Sequence, residues 1–420
     1  MKIGFLVERN IYFRIFGSII DKALERGHQV FCFHNYSHHQ TGSKGYQFPD
    51  IAQTPPFKNG KVVSLPFQNQ EEIVKHCLER NIKVIVSLDF MKNYLALQEK
   101  LQKEAVKWCA LQSGFDSGPN SGEYLSLPDR FFIYSPQWLQ WIFAYLKKSG
   151  KTAENNFADF AQKLNNKVKA VGFWLTEQKN IISAQEVKHK WGIPPEKKVV
   201  LFLPFPFGSS VKTFWTQCVF GWRKKFLQLP LALLYGKKRW IKQVLNEEND
   251  YRLCCAIKKF CEKNNAYFLV KSRQKDPVKN YLAKMADKVL YDEEFYPATI
   301  LQCFSVADIC LSFFSSAVLE AATTNVPHIC IAPAVEDWKD IQGTLWQIIL
   351  EKERNFFDFP GVSYLRTIPD IINNLAQQNL GDFPLVRGKQ VQYTQKFANG
   401  MEHMACEKIL LEVEKVVEKD

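Results

Sequence analysis

"ADICLSFFSSAVLEAATTNVPHICIAP", residues 307–333, holds one complete architectural unit. ADICLSF (307–313) is a short apolar run of the kind a strand covered on both faces needs. Ser315 and Ser316 follow, where hydroxyls can satisfy the orphan amides of a helix start. A helical pattern over 316–324 then passes through Asn325 and Pro327 into a second apolar run, PHICIAP. Strand, helix and strand with tight connections are the repeating element of a doubly wound parallel sheet. One residue is out of character on that helix: Glu320, among Ala317, Val318, Leu319 and Ala321.

The same alternation extends both ways. Upstream lie KKVVLFLPFPF (197–207), a helix over 248–264, AYFLVKSR (266–273), a helix over 277–287, KVLY (288–291) and a helix over 297–306. The chain also opens with it: a strand at 2–7, a helix over roughly 14–27 stopped by Gly27, and HQVFCFH. VVSL (62–65), a helix at 70–80, KVIVSL (83–88), a helix over 91–104, VKWCALQ (106–112) and RFFIYS (130–135) continue it. Helical patterns at 368–377 and 400–418 come last. A length of 420 residues exceeds what one core supports, so two αβα units are expected. The reading is a first domain at 1–150, a polar connector at 151–168, a second domain at 169–398 and a terminal helix at 399–420.

Hydrophobic content of 46% and charged content of 23% describe a globular chain. A net charge of +12 favours anionic partners. Eleven cysteines, scattered and without metal-ligand spacing, fit a reducing compartment. No apolar run reaches about 18 residues, and the start at a strand-like KIGFLV shows no signal peptide, so a cytoplasmic protein is expected. No nucleic-acid reading module is present.

A helix start bearing two serines is an anion site, because its free amides and dipole both favour negative charge. An acid four residues further on is placed to accept from two neighbouring hydroxyls, as on a ribose, or simply to complement the dipole. FSSAVLEAATTNVPHI resembles the nucleotide-binding helix of GT-B glycosyltransferases, with Ser316, Glu320, Ala321 and Pro327 at the motif positions. Asn325 stands where that motif has glycine, which suits a left-handed backbone that asparagine tolerates. YFRIFGSIIDKALERGHQV, VGFWLTEQKN followed by KWGIPPEKKVVLFLPFPF, and QCFSVADICLSFFSSAVLEAA resemble the corresponding passages of the CDP-glycerol glycerophosphotransferase and surface-polysaccharide transferase group.

That resemblance spans the chain and implies an α/β, GT-B fold: two Rossmann-like domains across a cleft. It implies a metal-independent transferase without cofactor, using a CDP- or UDP-linked donor as substrate and a glycan or lipid-linked hydroxyl as acceptor. On the donor side, Ser315 and Ser316 would meet phosphate and Glu320 the ribose. Lys271 and Arg273, closing the strand AYFLVKSR, would neutralise the diphosphate, and Thr299 in the Tyr-Pro-Ala-Thr segment is a further phosphate or ribose contact or, in the plainer reading, a helix cap. Members of the group have a histidine-glycine pair after the strand matching VKWCALQ; here Ser113-Gly114 stands in its place. The base is therefore sought among strand-end carboxylates, Asp116 first, then Asp89, then Glu8.

His34 and His38 have an H-x-x-x-H spacing, but no third ligand or helical pattern supports a metal, and the cluster His34, His38 and His39 reads as a surface loop or an acceptor contact. Residues 213–242 combine three tryptophans with seven basic residues, which suits a peripheral patch on an anionic membrane at the inner face of the cell envelope. A sugar-nucleotide 2-epimerase of the same fold and a non-catalytic nucleotide- or glycan-binding scaffold are the competing readings.

Overall fold

The computed structural model describes residues 1–35, 54–90, 92–114, 122–180, 183–204, 237–273, 278–291, 294–332, 343–400 and 404–418. The basic aromatic stretch at 213–242 falls almost wholly outside them, as do Asp116, His38 and His39.

Two parallel sheets form. The first contains β1 (Lys2–Val7), β2 (Gln29–Asn35), β3 (Val63–Phe67), β4 (Val84–Leu88), β5 (Lys107–Leu111), β6 (Arg130–Ile133) and β7 (Val168–Ala170). Their order is β3-β2-β1-β4-β5-β6-β7. The second contains β8 (Lys198–Leu203), β9 (Ala266–Lys271), β10 (Lys288–Leu290), β11 (Ile309–Phe313), β12 (His328–Ala332) and β13 (Ser363–Thr367), in the order β10-β9-β8-β11-β12-β13. Both sheets thus grow outward in two directions from their first strand, the doubly wound pattern. Continuous apolar runs such as VIVSL and ICLSF are buried along their whole length, because helices cover both faces.

Local signals set the helix ends. Asn69 caps the helix Gln70–Arg80 by accepting from the Glu72 amide, and Asn81 ends it at φ 54°. Ser183 and Glu186 form a capping box for Ala184–Trp191, and Gly192 ends that helix at φ 68°. Asn325 lies at φ 65°, the left-handed conformation its place in the turn requires.

The first sheet reaches further along the chain than the boundary at residue 150. β7 pairs in parallel with β6, and the polar segment before it carries the helix Phe157–Leu164. Helices where no helical period is read from sequence include Pro136–Lys148, Leu345–Lys352 and Arg387–Ala398. The last buries Gln390 and Thr394 along with Tyr393 and Phe397, so its inward face has no clean apolar period.

Two devices join the halves. The helix Ala405–Glu418 crosses back to the first domain and packs on β5, β6 and the helix Phe13–Glu25. Its inner face, Cys406, Ile409, Leu410 and Val413, is fully buried. Glu177 accepts from the amides of Ala405 (2.5 Å) and Cys406 (3.1 Å) at its start, and Arg26 holds Glu414 at 2.7 Å.

The second device is the helix Phe13–Glu25 itself. The Tyr296 ring, from the second domain, lies flat against Gly17, and its hydroxyl donates to buried Asp21 at 3.0 Å. Phe57 packs on the same ring, centroids 5.2 Å apart. Gln178 ties the pair together, donating to the Arg14 carbonyl at 3.1 Å and accepting from the Ala298 amide at 2.8 Å.

A methyl group at position 17 would sit 2.1 Å from a Tyr296 ring carbon. Gly17→Ala should therefore destabilise by about 1–3 kcal/mol despite alanine's better helix propensity. Urea unfolding of Gly17→Ala, Tyr296→Ala and the double variant checks this: the double should lose clearly less than the sum of the singles.

Candidate active site

In doubly wound sheets, ligands bind beyond the carboxyl ends of the strands where the strand order reverses. That point lies between β1 and β4 in the first sheet and between β8 and β11 in the second.

Glu8 follows β1 directly and Asp89 follows β4, so two of the three carboxylates anticipated from sequence flank the first reversal point. Glu8 accepts from the hydroxyls of Tyr94 (2.5 Å) and Tyr12 (3.4 Å). Burial, and then the Glu8 charge, push both phenols well above their ordinary range, so they remain donors. Asp89 accepts from the backbone amide of Ser113 at 3.2 Å and from its hydroxyl. Ser87 donates to the Asp89 carbonyl at 2.9 Å, and the residue is held at φ 45°, an uncommon conformation that turns its side chain out of the strand direction. The serine standing where the resemblance expects histidine thus orients a neighbouring carboxylate.

At the second reversal point, Ser315 accepts from the Ala317 amide at 3.2 Å, and Ser316 precedes the helix Ala317–Thr323 without a side-chain cap bond. Glu320, 2% exposed, forms an ion pair with Arg14, 28% exposed, on the helix Phe13–Glu25 of the first domain. This contact ties the helix that follows β1 to the helix that follows β11.

Lys271 ends β9 and is buried with Ser272, while Arg273 is exposed. Thr299 is committed elsewhere: its hydroxyl accepts from the Glu294 amide (3.0 Å) and donates to the Glu294 carbonyl (3.2 Å), closing the turn before the helix Thr299–Val306. Glu8 and Asp89 thus flank the first reversal point, Glu320 pairs with the helix Phe13–Glu25, and the Thr299 hydroxyl is used within its own turn.

His34 is not on a surface loop. It is fully buried near the end of β2, both ring nitrogens lack a hydrogen-bond partner among the described residues, and burial lowers its pKa to about 4. Packing against Phe13 removes it from water. No group of three or more metal-binding side chains occurs among the described residues. In the second sheet, His328 bridges Ser312 (2.8 Å) and Ser363 (3.0 Å) across three adjacent strands.

Sequence reasoning did not single out Arg14, Tyr12, Tyr94, Asp21 or Tyr296. One signal was present: Arg14, Gly17 and Asp21, spaced three and four apart, draw a small and charged stripe down one face of the helix.

A fold of this kind is GT-B: two Rossmann-like domains with their strand ends around a shared crevice. Solved structures with that fold match the whole chain. The wall teichoic acid polymerase TagF gives a TM-score of 0.56 at 10% identity, over 100% of this chain and 89% of that one. The UDP-GlcNAc 2-epimerase from Neisseria meningitidis bound to UDP-GlcNAc gives 0.55 at 10% identity, over 99% and 100%. The S. aureus MnaA–UDP structure gives 0.51 at 10% identity, over 99% and 97%. TagF has also been solved as an H444N variant soaked with CDPG. No protein-family model and no curated protein sequence matches the chain.

Burial lowers His328 to about 3, against 6.5 for a solvated histidine. Below pH 6.5 the unfolded chain takes up a proton there that the folded chain refuses, so this stability contribution is lost as pH falls. Between pH 7 and pH 5, His328→Gln should lose about 2 kcal/mol less stability than the parent, read from urea midpoints.

Proposed function

We propose that this chain is a metal-independent transferase, moving a sugar or polyol-phosphate from a nucleotide-activated donor to a hydroxyl of a glycan or lipid-linked acceptor. The observation that carries the reading is the Arg14–Glu320 contact, which joins the carboxylate-bearing end of the first sheet to the serine-flanked helix of the second.

In this reading the donor nucleotide occupies the second domain. Ser315, Ser316, Lys271 and Arg273 serve its phosphates, and Glu320 accepts from the ribose hydroxyls, sharing or releasing Arg14 as they arrive. Asp89 is the base: its carboxylate takes the acceptor proton as the acceptor oxygen bonds to the transferred group and the nucleotide leaves. Ser113 fixes the orientation of that carboxylate, and the cations at the end of β9 balance the charge on the departing phosphate. Glu8, held by two tyrosine hydroxyls, helps seat the acceptor.

The 2-epimerase reading keeps a place because two of the similar structures are a UDP-GlcNAc 2-epimerase with UDP-GlcNAc and MnaA with UDP. It needs no acceptor, so conversion of UDP-GlcNAc alone separates it from transfer.

A thermal-shift panel of CMP, CDP, UDP, GDP and ADP names the donor. A ligand at about 100 times its dissociation constant adds about 2.7 kcal/mol of stability, and Glu320→Ala should abolish the shift. If no nucleotide stabilises the parent, the transferase reading fails. With a donor in hand, Asp89→Asn should lower kcat by roughly 10²–10⁴-fold while the nucleotide shift remains.

A further inference from the structure

We propose that a groove remote from the crevice docks the chain on the anionic lipids of a membrane surface. The groove encloses about 850 Å³ between the helices Pro136–Lys148 and Leu345–Lys352 and the start of the helix Phe157–Leu164. Its floor is apolar, formed by Phe143 and Phe157 from the first domain and Ile348 from the second. Its rim carries Lys147, Lys148 and Lys352.

Topology separates it from the catalytic crevice. The helix Pro136–Lys148 starts just past the carboxyl end of β6 and runs back along the sheet, so its last residues lie at the opposite edge. Lys352 likewise ends its own helix. The inference is therefore independent of the transferase reading.

Lysines in a last helical turn complement the helix dipole, and that accounts for their type but not for the apolar floor they surround. Glu351, the one carboxylate lining the groove, is paired with Lys148 at 3.2 Å. Lys147 reaches the Asn155 carbonyl at 2.8 Å, a neutral partner that leaves its charge uncompensated. The rim therefore carries a net positive charge above an aromatic and aliphatic floor. A phospholipid has the matching chemistry: a phosphate for the ammonium groups and glycerol-proximal acyl methylenes for the rings. A volume of this size accommodates one such headgroup region. No described helix is long and apolar enough to cross a membrane, so contact of this kind is with the surface.

The test is cosedimentation with vesicles of phosphatidylcholine alone and of phosphatidylcholine mixed with phosphatidylglycerol. The parent should bind the anionic vesicles and not the neutral ones. Replacing Lys147, Lys148 and Lys352 with glutamine should weaken that binding on the order of a hundredfold, and Lys352→Gln alone several-fold. All three side chains lie on the surface, and unchanged melting temperatures and nucleotide shifts would show that both variants are folded. Anionic-vesicle binding that persists undiminished in the triple variant overturns the proposal by placing the contact elsewhere, and so does a parent that ignores the anionic vesicles. Inorganic phosphate, added at constant ionic strength, should leave vesicle binding intact; displacement by it would define a free-phosphate site and sink the lipid assignment.

Discussion

The fold turns on how one helix is shared. Phe13–Glu25 buries Phe13, Phe16, Ile19, Ile20 and Ala23 and offers a second, narrow stripe of Arg14, Gly17 and Asp21 to the other domain. Gly17 lets the Tyr296 ring touch helix backbone, Asp21 receives its hydroxyl, and Arg14 reaches the buried Glu320. A carboxylate at 2% exposure without a cation would carry an unrecovered desolvation cost of several kcal/mol. Loss of Arg14 would therefore be felt in the second domain, although the residue belongs to the first.

The crevice also works by division of labour. Side chains that touch the reversal point are acids and hydroxyls, while the groups that hold them, Tyr94, Tyr12 and Ser113, come from neighbouring strand ends and helices. Hydrogen bonds to an ionised carboxylate are among the stronger ones a fold can make, and they fix direction as well as charge. Ser113 shows this at the end of β5, where its amide and hydroxyl both donate to Asp89.

Much of this was legible in advance. The strands were, because parallel strands under helices on both faces leave continuous apolar runs, and so was the left-handed turn at Asn325. The partners of the site residues were not. Glu320 and Arg14 are 306 positions apart, and no local pattern links them until the sheets are assembled. Thr299 can be read from sequence as a ligand contact or as a helix cap, and only the assembled turn shows that its hydroxyl is used on Glu294, five residues back. The segment Arg387–Ala398 escaped notice for a related reason, since Gln390 and Thr394 are inside only because they find carbonyls there.

The terminal helix has a consequence for how the protein is made. Residues 405–418 complete the covering of β5, β6 and the helix Phe13–Glu25, which are synthesised hundreds of residues earlier. During translation the first domain emerges with an apolar face still open, and it stays open while the whole second domain is produced. Its final folding is thus coupled to that of its successor, and the nascent chain needs shelter for longer than a domain that closes on its own residues.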